Sequence, residues 1–154
     1  MKKNTFFEEL KKAGEAWDAA RQERMAKKDQ IIAEFGWDSD ELKAWHKEND
    51  GIKFPFAQGA VKAYRAYYQS KENEQDELEM SDFLWENEVH DFVETLRQAG
   101  IESFIYTNES TACMENLHAF AAEGCTLAGL ATTKQKSRWL SDEPKEIKGI
   151  RFTL

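Results

Sequence analysis

Cysteine is scarce in this chain: Cys113 and Cys125 are the only two in 154 residues. Two thiols are too few for a disulfide scaffold, and the expectation is reduced cysteines in a cytoplasm. No window approaches 18 consecutive apolar residues, which argues against a membrane-spanning helix. The opening MKKNTFFEELKKAGEAW has two early lysines but no apolar stretch and no small-residue cleavage site. It reads as the first turn of a soluble helix and not as a signal peptide. Neither GxGxxG nor GxxxxGK[ST] occurs, so no glycine-rich phosphate loop is expected. The most telling absence is of lysine and arginine between Glu72 and Glu94. That stretch holds ten acids and carries −10 of a net −8, leaving about +2 for the rest of the chain.

What is present is enough for a core. Hydrophobic residues make up 41%, with ten Phe and five Trp, a composition far from that of disordered chains. Phe6, Leu10, Ala13, Trp17 and Ala20 recur at helical spacing, behind a Thr5-x-x-Glu8 capping box, and the pattern runs to Phe35 before Gly36. Asp38-x-x-Glu41 is a second capping box, opening a short helix that stops at Asn49-Asp50-Gly51. Pro55 forces an extended linker, and a third helix is predicted over Gln58 to Lys71. The run SKENEQDELE is either the end of that helix or a loop. Ser81 or Asp82 can cap a fourth helix with the apolar stripe Trp85, Val89, Phe92, Leu96 and Ala99, ended by Gly100.

The pattern then changes. Ile101–Tyr106 is β-branched and aromatic and reads as a buried strand. Thr111–Glu123 follows as a helix capped by Ser110, with Met114, Leu117, Ala121 and Phe120 as inward-facing residues. Cys125–Thr133 is a second strand, Lys134–Pro144 a polar loop and Lys145–Leu154 a third strand. A strand, helix and strand of this length predict a parallel pair joined by a crossover, with the third strand antiparallel. The expected fold class is α+β: about four N-terminal helices, then a small three-stranded mixed sheet with one crossover helix. In domain terms, residues 1–80 form a helical region and 81–154 an α/β unit, packed as one domain.

The string TLRQAGIESFIYTNESTACMENLHAFAAEGCTLAGL, followed by EIKGIRFTL, resembles small accessory proteins of bacterial conjugative elements and prophages. The resemblance covers about residues 91–154. Its most specific pieces are AGI-x-x-F-x-Y-T-x-x-S-T, M-E-x-L-H-x-F and K-G-I-R-F. It implies a mobile-element accessory role and brings no activity with it.

Three sets of residues can carry function. Asn108, Ser110 and Thr111 lie at the carboxyl end of a predicted strand and the amino end of a helix, where backbone N–H groups and the helix dipole favour anions. Helix capping accounts for the same residues. Cys113 and His118 are five residues apart, roughly 140° around a helix, so they cannot act as nucleophile and base within it. With His90 and Cys125 they supply metal-binding side chains, but no C-x-x-C or H-x-x-x-H pair occurs, and neither a metal nor a cofactor is expected. The second set is the acidic face: Glu72, Glu74, Asp76, Glu77, Glu79, Asp82 and Glu86. A dense anionic surface can engage a basic groove on a protein partner by presenting charge as a nucleic acid does. The third is the basic-aromatic loop Lys134, Lys136, Arg138 and Trp139, which suits phosphate contact and base stacking, although the acidic balance argues against a dedicated nucleic-acid binder. The first helix has a wide polar face and can also pair with a second copy of the chain. The sequence therefore predicts a non-enzymatic interaction protein, with a host nucleic-acid-binding or defence protein as its partner. Nucleic-acid binding through the basic loop, and a ligand-binding or enzymatic site at the 107–111 turn, are the alternatives.

Overall fold

The structure, a computed structural model, describes residues 1–136 and 143–154. Its helices are α1 (Thr5–Phe35), α2 (Asp40–Asn49), α3 (Gln58–Glu72), α4 (Val89–Gln98) and α5 (Cys113–Ala122). Its strands are β1 (Leu78–Met80), β2 (Ser103–Tyr106), β3 (Thr126–Gln135) and β4 (Lys145–Thr153). The fold class is mixed α+β. The chain divides into two compact units, one of Met1–Phe7 with Phe56–Leu154 and one of Glu8–Pro55.

In the first unit the sheet has four strands in the order β1-β2-β4-β3, not three. The additional strand, β1, comes from the acidic run that reads as helix end or loop. Three residues, one of them Glu79, are too short to show a strand period, and β1 exists because β2 supplies its ladder. The parallel pair is β1 with β2, not β2 with β3. Strand β4 inserts between β2 and β3 and runs antiparallel to both, so the predicted neighbours are parallel in direction but not adjacent. The crossover between the parallel neighbours is α4 rather than α5.

One face of the sheet carries the core. Phe120 of α5 is fully buried and meets the rings of Phe104, Tyr106 and Phe152 at centroid distances of 5.1, 5.2 and 5.1 Å, with Phe92 of α4 at 6.2 Å. Edge-to-face and tilted rings of this kind add about 0.5–1.5 kcal/mol per pair to their burial. Val89, Phe92, Val93 and Leu96 fill the space from α4. Three expectations fail here. Trp85 lies ahead of α4 and is 59% exposed, and Met114, in the first turn of α5, is 62% exposed. Ala121, also expected inside, is exposed. Helix α3 approaches α4 closely at Gly59, where a Cβ would stand 2.7 Å from the Phe92 nitrogen and 2.9 Å from Asp91 Cβ. Lys62 of α3 and Glu88 form a largely buried ion pair at 2.6 Å beside this crossing.

The caps also differ from the predicted boxes. Asn4, not Thr5, caps α1: its side-chain oxygen accepts from Phe7 N at 3.2 Å while its amide donates to Ala99 O. Ser39, not Asp38, caps α2. Ahead of α4, a 3₁₀ turn over Glu86–Glu88 takes the place of a Ser81 or Asp82 cap, with Glu88 accepting from Trp85 N. Gly100 ends α4 with a positive φ, the left-handed stop expected of it, and Gly36 and Gly124 follow their helices with positive φ as well.

The second unit contains α2, the greater part of α1 and the linker to Pro55. Trp17 packs edge-on against Phe54 at 5.0 Å, and Lys28 lies over the Trp45 ring at 5.2 Å. Leu42, 4% exposed, is the one buried apolar side chain of this unit.

Candidate functional site

The acidic run is taken apart by the fold. Glu72 ends α3 and is exposed, and Glu74 sits in a left-handed turn with its carboxylate 3.3 Å from Lys136. Glu77 is held by Arg151 through two hydrogen bonds of 2.9 and 2.7 Å. This bidentate partner lowers its pKa below the ordinary carboxylate range. Glu94 pairs with Arg97 and Glu88 with Lys62. Asp76, Asp82 and Glu86 are exposed and have no ion-pair partner among the described residues.

Glu79 leaves the expected acidic face altogether. It is 3% exposed. Its Oε2 accepts from Gln75 Nε2 at 2.5 Å and Thr133 Oγ1 at 2.8 Å. Its Oε1 accepts from Thr107 Oγ1 at 2.8 Å and Gln135 Nε2 at 2.5 Å. Its backbone N–H donates to Ser70 Oγ at 2.8 Å, which covers the free edge of β1. Every one of these partners is neutral. Strands β1 and β3 are opposite edges of the sheet, so a Thr133–Glu79 bond requires the far end of the β3/β4 ribbon to curl back over β2. Gly149 permits the curl. A Cβ there would stand 2.8 Å from Ile105 Cγ2, Thr107 Cγ2 and Tyr106 O. Gln75 completes the closure by donating to Lys134 O at 3.1 Å. A cavity of about 290 Å³ remains between the 73–77 turn, Ile105 and the ribbon end.

What stays on the surface is a smaller acidic-aromatic patch. Trp85 stacks edge-on against Phe83 at 4.5 Å and is otherwise open, with Asp82 before it and Glu86 after it. Asp82 is fixed in part by accepting from Phe83 N at 2.8 Å. Trp85, Glu86, Asn87 and Glu88 line a shallow depression.

The 107–111 turn is ordered by its own residues. Asn108 donates to Ser81 O at 3.0 Å and accepts from Ser110 N at 2.9 Å. Ser110 does not cap α5: the helix begins at Cys113, its cap position is Ala112, and no side chain bonds its first N–H groups. The Ser110 hydroxyl oxygen is buried without a partner, and Thr111 is exposed. Behind the turn, Asn116 donates to Leu84 O at 2.5 Å and to the Tyr106 hydroxyl at 3.1 Å, and burial raises the Tyr106 pKa.

Of the basic loop, Lys134 and Lys136 are described. Lys134 is exposed and Lys136 is held by Glu74, while Arg138 and Trp139 lie outside the described residues. Cys113 begins α5 half-buried, and His118 is exposed. Burial pushes the Cys125 thiol upward in pKa. His90 pairs with Glu123 at 2.8 Å, which raises its pKa. Among the described residues no three His, Cys, Asp or Glu side chains are grouped to hold a metal ion, and no helix is long and apolar enough to cross a membrane.

The sheet, both of its covering helices, the Glu79 network and the Trp85 patch all fall within residues 62–154, which match the sequence model of a domain of unknown function, DUF7698. The chain belongs to the DUF7698 family. The match begins within α3, so the Glu8–Pro55 unit lies outside it. No curated protein and no solved structure matches the chain. The functional content of the DUF7698 region therefore has to be read from its own geometry.

Proposed function

We propose that this protein is a non-enzymatic interaction module that binds a basic segment of another protein through the Asp82–Glu86 patch. The carrying observation is Trp85, an exposed ring flanked in sequence by Asp82 and Glu86, neither of which has an ion-pair partner among the described residues. Lysine and arginine side chains suit such a patch, since an indole face attracts a cation by about 0.5–2 kcal/mol and flanking carboxylates steer its approach. Exposed Trp is also the residue type most enriched at binding hot spots. The patch is narrower than the run of seven acids expected from the sequence: Glu79 is internal, Glu74 and Glu77 have their own cations, and Glu72 and Asp76 belong to the end of α3 and its connection to β1. The resemblance to accessory proteins of conjugative elements and prophages supports a cytoplasmic partner in the host, with a nucleic-acid-binding or defence protein as the natural owner of a basic groove.

The test is fluorescence anisotropy of a labelled Arg/Lys-rich peptide titrated with the full chain at low and moderate salt. The expected result is saturable binding that weakens with salt and is lost in Trp85→Ala, and in Asp82→Asn/Glu86→Gln. Binding of equal strength by both variants would sink the assignment. Binding of a nucleic-acid probe at low salt, with no peptide binding, would move the function to the Lys134–Trp139 loop.

A further inference from the structure

The Glu8–Pro55 unit exposes what a helical unit normally buries. It holds most of α1 and all of α2, Leu42 is its one buried apolar side chain, and neither cysteine falls in it. A helical pair below about 70 residues rarely stabilises itself through one core, and oligomerisation is one of the usual supplements. Among the described residues, five of the nine large apolar side chains that are exposed lie in this unit: Met25, Phe35, Trp37, Ile52 and Phe54. Single exposed apolar residues are ordinary on a surface, but their concentration in so small a unit marks an interaction surface.

The apolar residues and the charges of this unit are ordered along α1. Arg21, Met25, Lys28, Ile32 and Phe35 recur at alternating steps of four and three residues, the spacing of a helix-pairing seam. On that stripe Met25 is 40% and Phe35 49% exposed, and Ile32 is half-buried. Trp37, 73% exposed, follows the end of the helix, and toward the other end Phe54 packs on Trp17. Charge is split along the same length. Arg21, Arg24, Lys27 and Lys28 are interrupted by Glu23 alone, and Asp29, Glu34, Asp38, Asp40 and Glu41 follow with no base until Lys43. Apart from the exposed Asp40–Lys43 pair, none of these charges has an ion-pair partner among the described residues. Both patterns share a centre. A half-turn about a point between Lys28 and Asp29 exchanges the basic stretch of α1 with the acidic stretch that follows it. The same half-turn brings Met25 level with Ile32, and Trp37 level with Ala20, within about one helical turn of Trp17. A surface that complements itself about one point is isologous, which selects a second copy over an unrelated partner. Parallel pairing would set base on base and acid on acid.

We infer that the Glu8–Pro55 unit joins two copies of the chain, α1 against α1 in antiparallel. Met25, Ile32, Phe35 and Trp37 form the apolar seam, and the bases at 21–28 face the acids at 29–41 of the second copy. The test is sedimentation velocity of the full chain from low micromolar to several hundred micromolar. The expected result is a mass that rises from one chain to two and stops there. Phe35→Ser/Trp37→Ser, which alters two exposed side chains, weakens the association about tenfold or more. Arg21→Glu/Lys28→Glu and Asp29→Lys/Asp38→Lys each set like charges across the seam, so each variant alone stays at the mass of one chain. Their equimolar mixture restores opposite charges on both sides of the two-fold and dimerises. Circular dichroism checks that each variant is folded, and the wild-type mass series decides if one is not. A wild-type mass of one chain throughout, or one that climbs beyond two, would overturn the pair. So would folded variants that associate as wild type does, or a mixture that stays at one chain. Trp85→Ala associates as wild type does, so failure here and failure of the peptide-binding patch are told apart.

Discussion

Replacing Glu79 by Leu distinguishes a surface acid from an internal one. The substitution removes an acceptor from four donors: the Gln75 and Gln135 amides and the Thr107 and Thr133 hydroxyls. A hydrogen bond to a charged group contributes about 1.5–3 kcal/mol to stability. The two hydroxyls can rotate toward other acceptors, Gln135 is only half-buried, and Gln75 keeps its bond to Lys134 O. Loss of the buried charge also returns part of its desolvation cost. These terms leave a net destabilisation of about 3 kcal/mol, a large share of the roughly 5–15 kcal/mol that holds a domain folded. With a urea slope near 2 kcal/mol/M, the midpoint falls by roughly 1.5 M. The assay is urea denaturation followed by circular dichroism, with Asp82→Asn as the exposed control, expected to stay within about 0.5 kcal/mol of wild type. A Glu79→Leu midpoint indistinguishable from that control would refute the internal network and return Glu79 to the acidic face.

Other predictions follow from the same geometry. Gly149→Ala forces a Cβ into Ile105, Thr107 and the Tyr106 carbonyl at 2.8 Å, and destabilises by about 1–3 kcal/mol in the same denaturation assay. Phe120→Ala empties the centre of the aromatic cluster and costs about 3–5 kcal/mol, again read as a fall in the urea midpoint. The Glu77–Arg151 pair lowers the folded pKa of Glu77 below 4.5, so its stabilisation is complete above that value and is lost as pH falls through the folded pKa. Arg151→Gln flattens that acid limb of the stability profile. His90 has the opposite sign: its folded pKa is raised above 6.5 by Glu123, so that contribution is complete below 6.5 and is lost as pH rises through the folded value. An NMR titration showing no drop in the His90 pKa in Glu123→Gln would contradict the pair. In the Glu8–Pro55 unit, where Leu42 alone of the apolar side chains is buried, backbone amides exchange with solvent faster than those of β2 and β4.

Local signals made much of the fold legible. The helix-ending glycines at 36 and 100, the helical stripe of Val89, Phe92 and Leu96, and the strand at 103–106 all follow from residue type and spacing. Strand β1 could not be read so directly, since Leu-Glu-Met inside an acidic run is too short for a period. The alternation of Leu78, Glu79 and Met80 is its one local trace. The insertion of β4 between β2 and β3 is likewise a long-range choice, made by the pairing of Phe104 with Phe152 and not by any neighbour in sequence. Glu79 shows the limit most clearly. Its partners lie 4, 28, 54 and 56 residues away, and nothing about an acid among acids indicates that two threonines and two glutamines will converge on it. Asp82 and Glu86 were legible as exposed acids. The exposure of Trp85 was not, because helical periodicity assigned it to the core stripe, whereas the 3₁₀ turn at Glu86–Glu88 delays the helix and leaves the indole outside.

The proposed role of the Asp82–Glu86 patch is to receive a basic segment of another protein. The most direct measurement is an amide ¹H–¹⁵N correlation titration of the full chain with an Arg/Lys-rich peptide, together with the indole N–H signals. Saturable shifts concentrated at residues 82–88 and at the Trp85 indole, and absent in Trp85→Ala, are the predicted result. Shifts confined to other surfaces, or none at low ionic strength, would contradict it.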